Sequence, residues 1–196
     1  MPSRYIHSCL SSRQVPSLLQ SIFVAELMTP SRCLWLVSPW ISDIPVIDNS
    51  ANTFLCLEPS WSRTRVHLSQ VLATLAEQGT TIHIATRPDT HNHSFIEGLN
   101  ARIDRLDVAV RFHIAEELHT KGILGDGYYL AGSMNFTYNG ITVNEEALTY
   151  ETSPKVIAEQ QLIFTNRWAG ACVMTNPTNC ELMWQPMRHP AVILLI

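Results

Sequence analysis

The sequence predicts an α/β fold in a single domain, and three observations support this prediction. Apolar runs of strand length alternate with amphipathic helical periods along the chain. The length of 196 residues corresponds to about one domain at roughly 150 residues each. A hydrophobic fraction of 46% is enough to build one packed core, which excludes a disordered chain.

The first half of the chain alternates helices with buried strands. Apolar residues recur at helical spacing from Leu18 to Leu27, and we expect that helix to stop at Pro30. The continuous apolar run at 33–37 is typical of a buried strand. The same reasoning predicts a long connection over 41–64, an amphipathic helix over 68–75 with Gly79 as its C-cap, and a strand over 81–86.

The second half adds a short helix around 95–99, an alternating strand over 108–114 and three short extended pieces between 119 and 150. Ser153 and Pro154 then predict the start of a helix that runs to Trp168, because serine caps helices and proline suits their first turn. We assign residues 1–170 to one domain and leave 171–196 as a C-terminal tail of unassigned structure.

Charge is scarce in this chain. Charged residues make up 15%, compared with roughly 25% in an ordinary soluble domain. A chain so poor in charge has a small polar surface or buries part of its surface against a partner. The net charge of −4 argues against attachment to nucleic acid by a general basic field, but it allows a local phosphate site.

The cysteines and the hydropathy pattern predict where the protein works. The five cysteines are odd in number and form no Cys-x-x-Cys pair, which argues against a disulfide framework and against a zinc knuckle. The sequence has neither the continuous apolar region of a signal peptide nor a window of roughly 18 apolar residues. We therefore expect a cytoplasmic protein that does not associate with a membrane.

Polar side chains able to hold an anion concentrate between His119 and Asn135. His119 and Lys121 are two positions apart, so they share one face if 118–124 is a strand. Ser133 and Asn135 repeat this spacing in the next extended piece. An isolated His-x-Lys is usually a pair of surface strand residues, but imidazole, ammonium, hydroxyl and amide groups together favour a site for a tetrahedral anion.

This combination resembles the signature of the phospholipase D superfamily. That signature has His-x-Lys, four residues, Asp, a short strand, Gly-Ser-x-Asn and a downstream acid that often stands in an Asn-x-Glu setting. The resemblance covers roughly residues 117–150. The matching residues here are His119, Lys121, Asp126, Gly132, Ser133, Asn135 and Glu146.

The resemblance implies a role for the catalytic residues. His119 would attack a phosphodiester phosphorus and form a phosphohistidine. Lys121 and Asn135 would neutralise the charge that develops on the phosphoryl oxygens. Glu146 would orient the histidine and raise its basicity, with Glu145 as the alternative acid.

It also implies how the site is completed. Gly132 and Ser133 would bind substrate, whereas Asp126 would hold the strand turn. Neither a metal ion nor a cofactor is expected, so activity should survive EDTA.

A second histidine must protonate the leaving oxygen, yet the chain has one His-x-Lys. Single-motif members of the superfamily pair two chains about a two-fold axis, and we expect a homodimer that shares one active site.

Three stretches look like a more specific relative. Residues 36–49, 85–89 and 132–140 resemble the phospholipase D-like component of bacterial DNA-processing and restriction systems associated with 7-deazaguanine DNA modification. This resemblance implies DNA as the substrate and other proteins of a defence system as partners. The expected function is a phosphodiesterase that cleaves or processes DNA.

Two other functions stay open from the sequence. A hydrolase of phospholipid headgroups would be expected to carry a basic amphipathic helix, a lipid anchor or an export signal, and the sequence has none of these. A non-catalytic subunit that recognises DNA through the phosphate pocket is compatible with the acidic net charge. It is also compatible with the spacer between Asp126 and Gly132, because residues 127–131 are one fewer than the superfamily usually has there.

Other polar and aromatic residues allow competing interpretations. Asp89, His91 and His93 could bind a transition metal, although their position in a loop favours solvated residues or a lip that contacts substrate. Trp40 and Trp61 could stack nucleobases. We expect Trp35 and Trp168 to lie in the core. We expect His83 and His113 to lie in the sheet. Arg63 and Arg65 would either lie at a solvated helix end or contact a nucleic acid.

Overall fold

The computed structural model describes residues 3–7 and 14–168 and the backbone of 173–174. Its strands are β1 (Arg4–His7), β2 (Cys33–Val37), β3 (Pro45–Asp48), β4 (Arg65–His67), β5 (Thr81–Thr86), β6 (Val110–Ile114), β7 (Gly122–Leu124), β8 (Tyr129–Gly132), β9 (Ala147–Glu151) and β10 (Val173–Met174). Its helices are α1 (Gln14–Met28), α2 (Leu68–Glu77), α3 (His93–Ile103), α4 (Tyr138–Thr142) and α5 (Pro154–Trp168). The predicted α/β class and the single domain are confirmed.

The main sheet is mixed and has the order β1-β9-β8-β7-β2-β5-β6-β10. Strands β2, β5 and β6 run parallel. The neighbours on both sides, β7 beside β2 and β10 beside β6, are antiparallel. From β7 to β1 every pairing is antiparallel, which makes the half of the sheet that carries the His-x-Lys motif a meander.

Both faces of the central strands are apolar because helices cover both. In β2, Leu34 and Leu36 point into the core that includes residues of α1, α2 and α3. Trp35 and Val37 point to the other face and pack in a cluster with residues of α5. This alternation with a period of two explains why the strand reads as a continuous hydrophobic run.

Several predicted elements match the structure closely. The runs at 33–37 and 81–86 are β2 and β5, and the predicted helix from Pro154 to Trp168 is α5. The helix expected over 68–75 is α2, and Gly79 follows it with φ of 97°, a conformation that favours glycine. The core positions predicted for Trp35 and Trp168 are confirmed.

The long connection predicted over 41–64 is wrong in part. Strand β3 lies within this stretch and pairs with β4, which follows it, in a separate two-stranded sheet, and the buried Val46 and Ile47 add to the core. Asn49 closes the loop between the strands, since its amide donates to the Trp61 carbonyl at 2.8 Å. Trp61 is only 3% exposed, so the proposal that it stacks nucleobases is wrong. Arg65 is exposed at the start of β4 and Arg63 is exposed just before it, so neither residue lies at a helix start.

The strand predicted over 118–124 is also shorter than expected, because β7 begins at Gly122. Leu118 closes a turn with Ala115 through a backbone hydrogen bond of 3.2 Å. The residues between Leu118 and β7 are not paired with a neighbouring strand. His119 is exposed while Lys121 is buried, so the two side chains do not share one environment. The predicted tail at 171–196 lies outside the described residues, apart from the backbone of β10.

Candidate active site

The sheet register gathers the predicted site residues at one edge. Val37 at the end of β2 pairs with Gly122 at the start of β7, and Val37 also pairs with Ala85 near the end of β5. The carboxyl ends of two parallel strands therefore meet the segment that carries His119 and Lys121. Crevices at the carboxyl ends of parallel strands are the usual ligand sites of open α/β sheets.

Ser133 and Glu146 come together where β8 ends and β9 begins. The Ser133 backbone N–H donates to the Ala147 carbonyl at 3.1 Å, and the Ala147 N–H donates to Ser133 Oγ at 3.0 Å. The Ser133 hydroxyl in turn donates to Glu146 Oε2. Gly132 allows this close approach, since a Cβ at that position would collide with the Ala147 carbonyl.

Asn135 is fixed by its surroundings and keeps one group free. Its Oδ1 lies 3.4 Å from the Ser38 hydroxyl, which donates to the Trp40 carbonyl at 2.8 Å. Gly140 in α4 packs so closely on the Asn135 carbonyl that a side chain there would collide with it. The Asn135 Nδ2 group makes no hydrogen bond within the described residues, which leaves it available as a donor.

Lys121 and Glu146 form the buried, charged part of the site. Lys121 is 8% exposed and its Nζ donates to the His119 carbonyl at 2.8 Å. Burial lowers the pKa of Lys121, and Arg87 lowers it further, whereas Glu146 acts in the opposite direction. Glu146 is 6% exposed, and Asn144 Nδ2 donates to its Oε1 at 3.4 Å.

His119 is the exposed member of the group. In the part of the chain that the structure describes, its imidazole makes no hydrogen bond, so neither ring nitrogen is blocked. Within the described residues no hydrogen bond joins this ring to Glu146, and the orienting role of Glu146 stays a prediction. The same edge nevertheless collects the side chains of Lys121, Ser133, Asn135 and Glu146.

Asp126 lies in the turn between β7 and β8, at the opposite end of β7 from this edge. Its Oδ2 accepts hydrogen bonds from the backbone N–H and the Nε of Arg32, both at 3.0 Å. The Asp126 N–H is 2.9 Å from the Ser31 hydroxyl. Asp126 thus ties the β7–β8 turn to the segment that enters β2, a contact well removed from His119.

Sequence reasoning missed two residues that shape the edge. Asn92 is fully buried, and its Nδ2 lies within 3.0 Å of the carbonyls of Pro39 and Arg87. Its Oδ1 accepts from the Ile41 N–H at 2.8 Å, so one side chain joins the loops that follow β2 and β5. The second missed residue is Arg87 itself, whose Nε donates to the Leu118 carbonyl at 2.7 Å. Their position just after buried parallel strands was the available signal.

The Asp89-His91-His93 motif forms part of the rim beside this edge. Asp89 accepts from Trp40 Nε1 at 3.0 Å and from the His91 N–H at 2.9 Å, and these contacts lower its pKa. His91 Nε2 lies 2.8 Å from the Ser42 hydroxyl. Among the described residues, no group of three or more His, Cys, Asp and Glu side chains is arranged to hold a metal ion.

His83 and His113 lie in the sheet, as expected, and they are buried beneath α5. His113 Nδ1 donates to the Trp168 carbonyl at 3.0 Å, and therefore its Nε2 accepts from His83 Nδ1 at 2.9 Å. Both rings stack on Trp35, with His83 at 4.1 Å between centroids. Burial and the neighbouring His113 lower the pKa of His83 to about 4, so the ring is neutral at pH 7.

Comparison with known proteins identifies the fold family. Residues 44–168 match the family model described as cardiolipin synthase, PLD-like domain. The structure is similar to NucT from Helicobacter pylori, with a TM-score of 0.61, 13% identity and coverage of 88% of this chain and 98% of that chain. It is also similar to Nuc, a phospholipase D family member from Salmonella typhimurium, with a TM-score of 0.59, 12% identity and coverage of 88% and 97%.

A third similar structure is a phosphatidylserine synthase from Haemophilus influenzae, with a TM-score of 0.57, 14% identity and coverage of 90% of this chain and 41% of that chain. No curated protein matches the sequence. Identities this low establish a common fold and leave the substrate open. None of the described helices is long and apolar enough to span a bilayer.

Proposed function

Because the chain belongs to the phospholipase D-like family, we propose that it is a phosphodiesterase that cleaves or processes DNA with His119 as its nucleophile. The observation that carries this proposal is the convergence of Lys121, Ser133, Asn135 and Glu146 beside an exposed histidine at one sheet edge. The superfamily includes hydrolytic phosphodiesterases and nucleases.

The proposed reaction has two displacements. A neutral ring nitrogen of His119 attacks the phosphorus, the N–P bond forms, and the P–O bond to the leaving group breaks as a protonated histidine of a second copy gives up its proton. Water then attacks the phosphohistidine, loses its proton to that second histidine, and releases His119. Lys121 and the Nδ2 of Asn135 stabilise the negative charge on the non-bridging oxygens in both transition states.

A homodimer supplies the second histidine. The chain has one His-x-Lys, and the reaction needs a nucleophile and an acid at once. Two large apolar side chains, Tyr138 and Val143, are 63% and 64% exposed in the segment that joins Asn135 to Glu146. Apolar side chains exposed beside the site suit contact with a second copy, and so does the low charge content of the chain.

The proposal for DNA rests on the stretches at 36–49, 85–89 and 132–140, which resemble a component of 7-deazaguanine modification and restriction systems. By this resemblance the protein would act in the bacterial cytoplasm together with other proteins of a defence system. A phospholipid headgroup hydrolase and a non-catalytic DNA-binding subunit are the competing outcomes of the tests below.

The first test compares wild type with His119→Ala on bis(p-nitrophenyl) phosphate in the presence of EDTA. We expect turnover by wild type and none by the variant, because the site draws its positive charge from side chains rather than from a divalent ion. A wild-type protein that binds DNA without turning over the reporter would be a binding subunit. Release of lipid headgroups without nicking of plasmid DNA would contradict the choice of DNA.

The second test uses mixed dimers of wild-type and His119→Ala chains. Such a dimer keeps one nucleophile but lacks its acid, so it should give a burst with p-nitrophenolate as the leaving group and almost no cleavage of DNA. Loss of the acid alone should slow DNA cleavage about 10²–10⁴-fold. DNA cleavage at half the wild-type rate would mean that each chain works alone.

A further inference from the structure

Arg87 is a cation at the site edge that the two displacements leave without a role. It follows β5 directly, and its Nε donates to the carbonyl of Leu118 at 2.7 Å. Lys121 donates to the next carbonyl along the chain, that of His119. The guanidinium and the ammonium are thus anchored on consecutive carbonyls, one on each side of the His119 peptide.

The guanidinium is held rigidly from a second direction. Its central carbon lies 5.5 Å from the centroid of the Trp40 ring, which is a cation–π distance. The Trp40 ring is itself fixed, since its Nε1 donates to Asp89 Oδ2 at 3.0 Å. Arg87 is therefore a half-buried, preorganised arginine rather than a flexible surface side chain.

The positive charge of Arg87 has no carboxylate partner within the described residues. In the described part of the chain the ion pairs are Arg32–Asp126 and His67–Asp43, and Arg87 lies within 4.0 Å of no carboxylate. The nearby Asp89 is engaged by Trp40 and by the His91 backbone instead. The two Nη groups of Arg87 make no hydrogen bond with the described residues. Both are therefore available to donate bidentate hydrogen bonds to two oxygens of one phosphate.

From this geometry we propose that Arg87, supported by Trp40, binds the phosphate that neighbours the scissile one along a nucleic-acid strand. The scissile phosphate already faces Lys121 and Asn135, and their counterparts in the second copy. Arg87 stands on the Leu118 side of His119, where the next phosphate of a polymer can reach it. The protein thereby discriminates a polynucleotide from a diester that has a single phosphate. This inference rests on the proposed function.

The binding arm of the test uses a fluorescent single-stranded DNA oligonucleotide and chains that carry His119→Ala, which prevents cleavage. Adding Arg87→Gln should weaken the affinity about ten-fold or more and reduce the slope of log K against log salt by about 0.7, the value for one phosphate contact on a single strand. Arg87→Lys should recover part of the affinity, because it keeps the charge and loses the fork.

The control for binding is Arg105→Gln. Arg105 is exposed and precedes β6, at the opposite edge of the sheet, and its loss should leave the affinity within about two-fold. Thermal unfolding of each variant checks that the fold is intact. Equal weakening by Arg87→Gln and Arg105→Gln would indicate a general effect of charge and would overturn the inference.

The turnover arm uses chains with His119 intact. Arg87→Gln should raise the KM for the oligonucleotide at least about ten-fold more than the KM for bis(p-nitrophenyl) phosphate, because that reporter has no second phosphate. Equal losses on both substrates would place Arg87 at the scissile phosphate and overturn the inference. If the wild-type protein turns over neither substrate, the proposed function has failed, whereas the binding arm still tests Arg87 on its own.

Discussion

Two sets of histidines in this protein meet opposite surroundings within one sheet. His83 and His113 lie in the interior of neighbouring strands, are hydrogen bonded to each other and stack on Trp35. His119 lies just before β7, is exposed, and has no hydrogen bond to its ring within the described residues. The first pair is buried and three of its four ring nitrogens are hydrogen bonded, whereas the ring of His119 is exposed to solvent.

The comparison teaches that position rather than residue type decides which histidine is available for the proposed reaction. A histidine in the middle of a strand is enclosed by helix α5 on its face of the sheet, and burial holds it neutral. A histidine at the strand end meets the loops after β2 and β5, where Lys121 and Asn135 can reach a common ligand. The predictions that follow test this division between structural and chemical histidines.

The largest effect should come from His119→Ala. We expect turnover to fall at least about 10⁴-fold because the nucleophile is lost, while the midpoint of thermal unfolding stays close to that of wild type because the ring contacts little. His83→Ala should do the reverse, with a lower midpoint and nearly normal turnover per folded molecule. Steady-state kinetics and calorimetry on both variants check this, and a collapse of activity in His83→Ala at full folding would erase the distinction.

The next effect concerns the acid in the site. Glu146→Gln should lower kcat about 10²–10³-fold, because Glu146 is buried against Ser133 and compensates the charge of Lys121. Glu145→Gln is the matched control, since Glu145 is the adjacent and exposed residue, and we expect a change below about three-fold. Rates measured for both variants across the pH range decide which carboxylate serves. A larger loss in Glu145→Gln would reverse the assignment.

A smaller effect should be seen in the pH dependence of stability. The unfolded chain protonates His83 near its ordinary pKa of 6.5, while the folded chain does so only near about 4. The unfolded state therefore binds more protons in this window, and the free energy of unfolding should fall by about 1–3 kcal/mol as the pH drops from 6.5 towards 4. Urea titrations at several pH values measure this slope.

The double variant His83→Phe/His113→Phe provides the comparison for that slope, since it removes both titrating rings while aromatic bulk is kept beside Trp35. We expect the free energy of unfolding of the variant to fall less than that of wild type between pH 6.5 and 4, because the variant has no buried imidazoles to protonate. A variant with the full wild-type slope between pH 6.5 and 4 would show that the buried pair does not titrate as described.

The smallest effect should come from Arg32→Ala. The Arg32 side chain is 91% exposed, so its ion pair with Asp126 is screened by water and should contribute about 0–1 kcal/mol. Because this contact holds a turn at the far end of β7, turnover should not change. Chemical denaturation and reporter kinetics check both parts. A large loss of activity would mean that the β7–β8 turn is coupled to the site.

Much of the fold follows from the sequence where one signal dominates. Strand β2 is an unbroken apolar run, β5 is rich in β-branched residues, and the N-terminus of α5 has a serine and a proline in the preferred order. The hairpin of β3 and β4 was missed because Pro45 begins one strand and polar residues surround both. Trp61 was wrongly predicted to be exposed for a related reason. Its neighbours in sequence are polar, which is typical of a surface loop, but its side chain packs in the core.

The residues of the candidate site were named from the sequence and their chemical roles stay predictions, whereas their contacts could not be predicted. The spacing of His119, Lys121, Ser133 and Asn135 identified the edge, whereas the burial of Lys121 depends on loops distant in sequence. Asn92 had no motif to mark it, and the resemblance over 85–89 gave Arg87 no role of its own, because both residues act through hydrogen bonds to carbonyls of other loops. Such contacts exist only once the parallel strands are aligned.

The covalent intermediate on His119 tests the central claim most directly. A DNA oligonucleotide would be mixed with the wild-type protein, quenched with base within the first turnover and digested for mass spectrometry, because a phosphohistidine survives base better than acid. We predict that the peptide with His119 carries the mass of the transferred nucleotide portion and that the Glu146→Gln protein accumulates less of it. Steady cleavage of DNA with no adduct on His119, or with the adduct on another residue, would contradict the account.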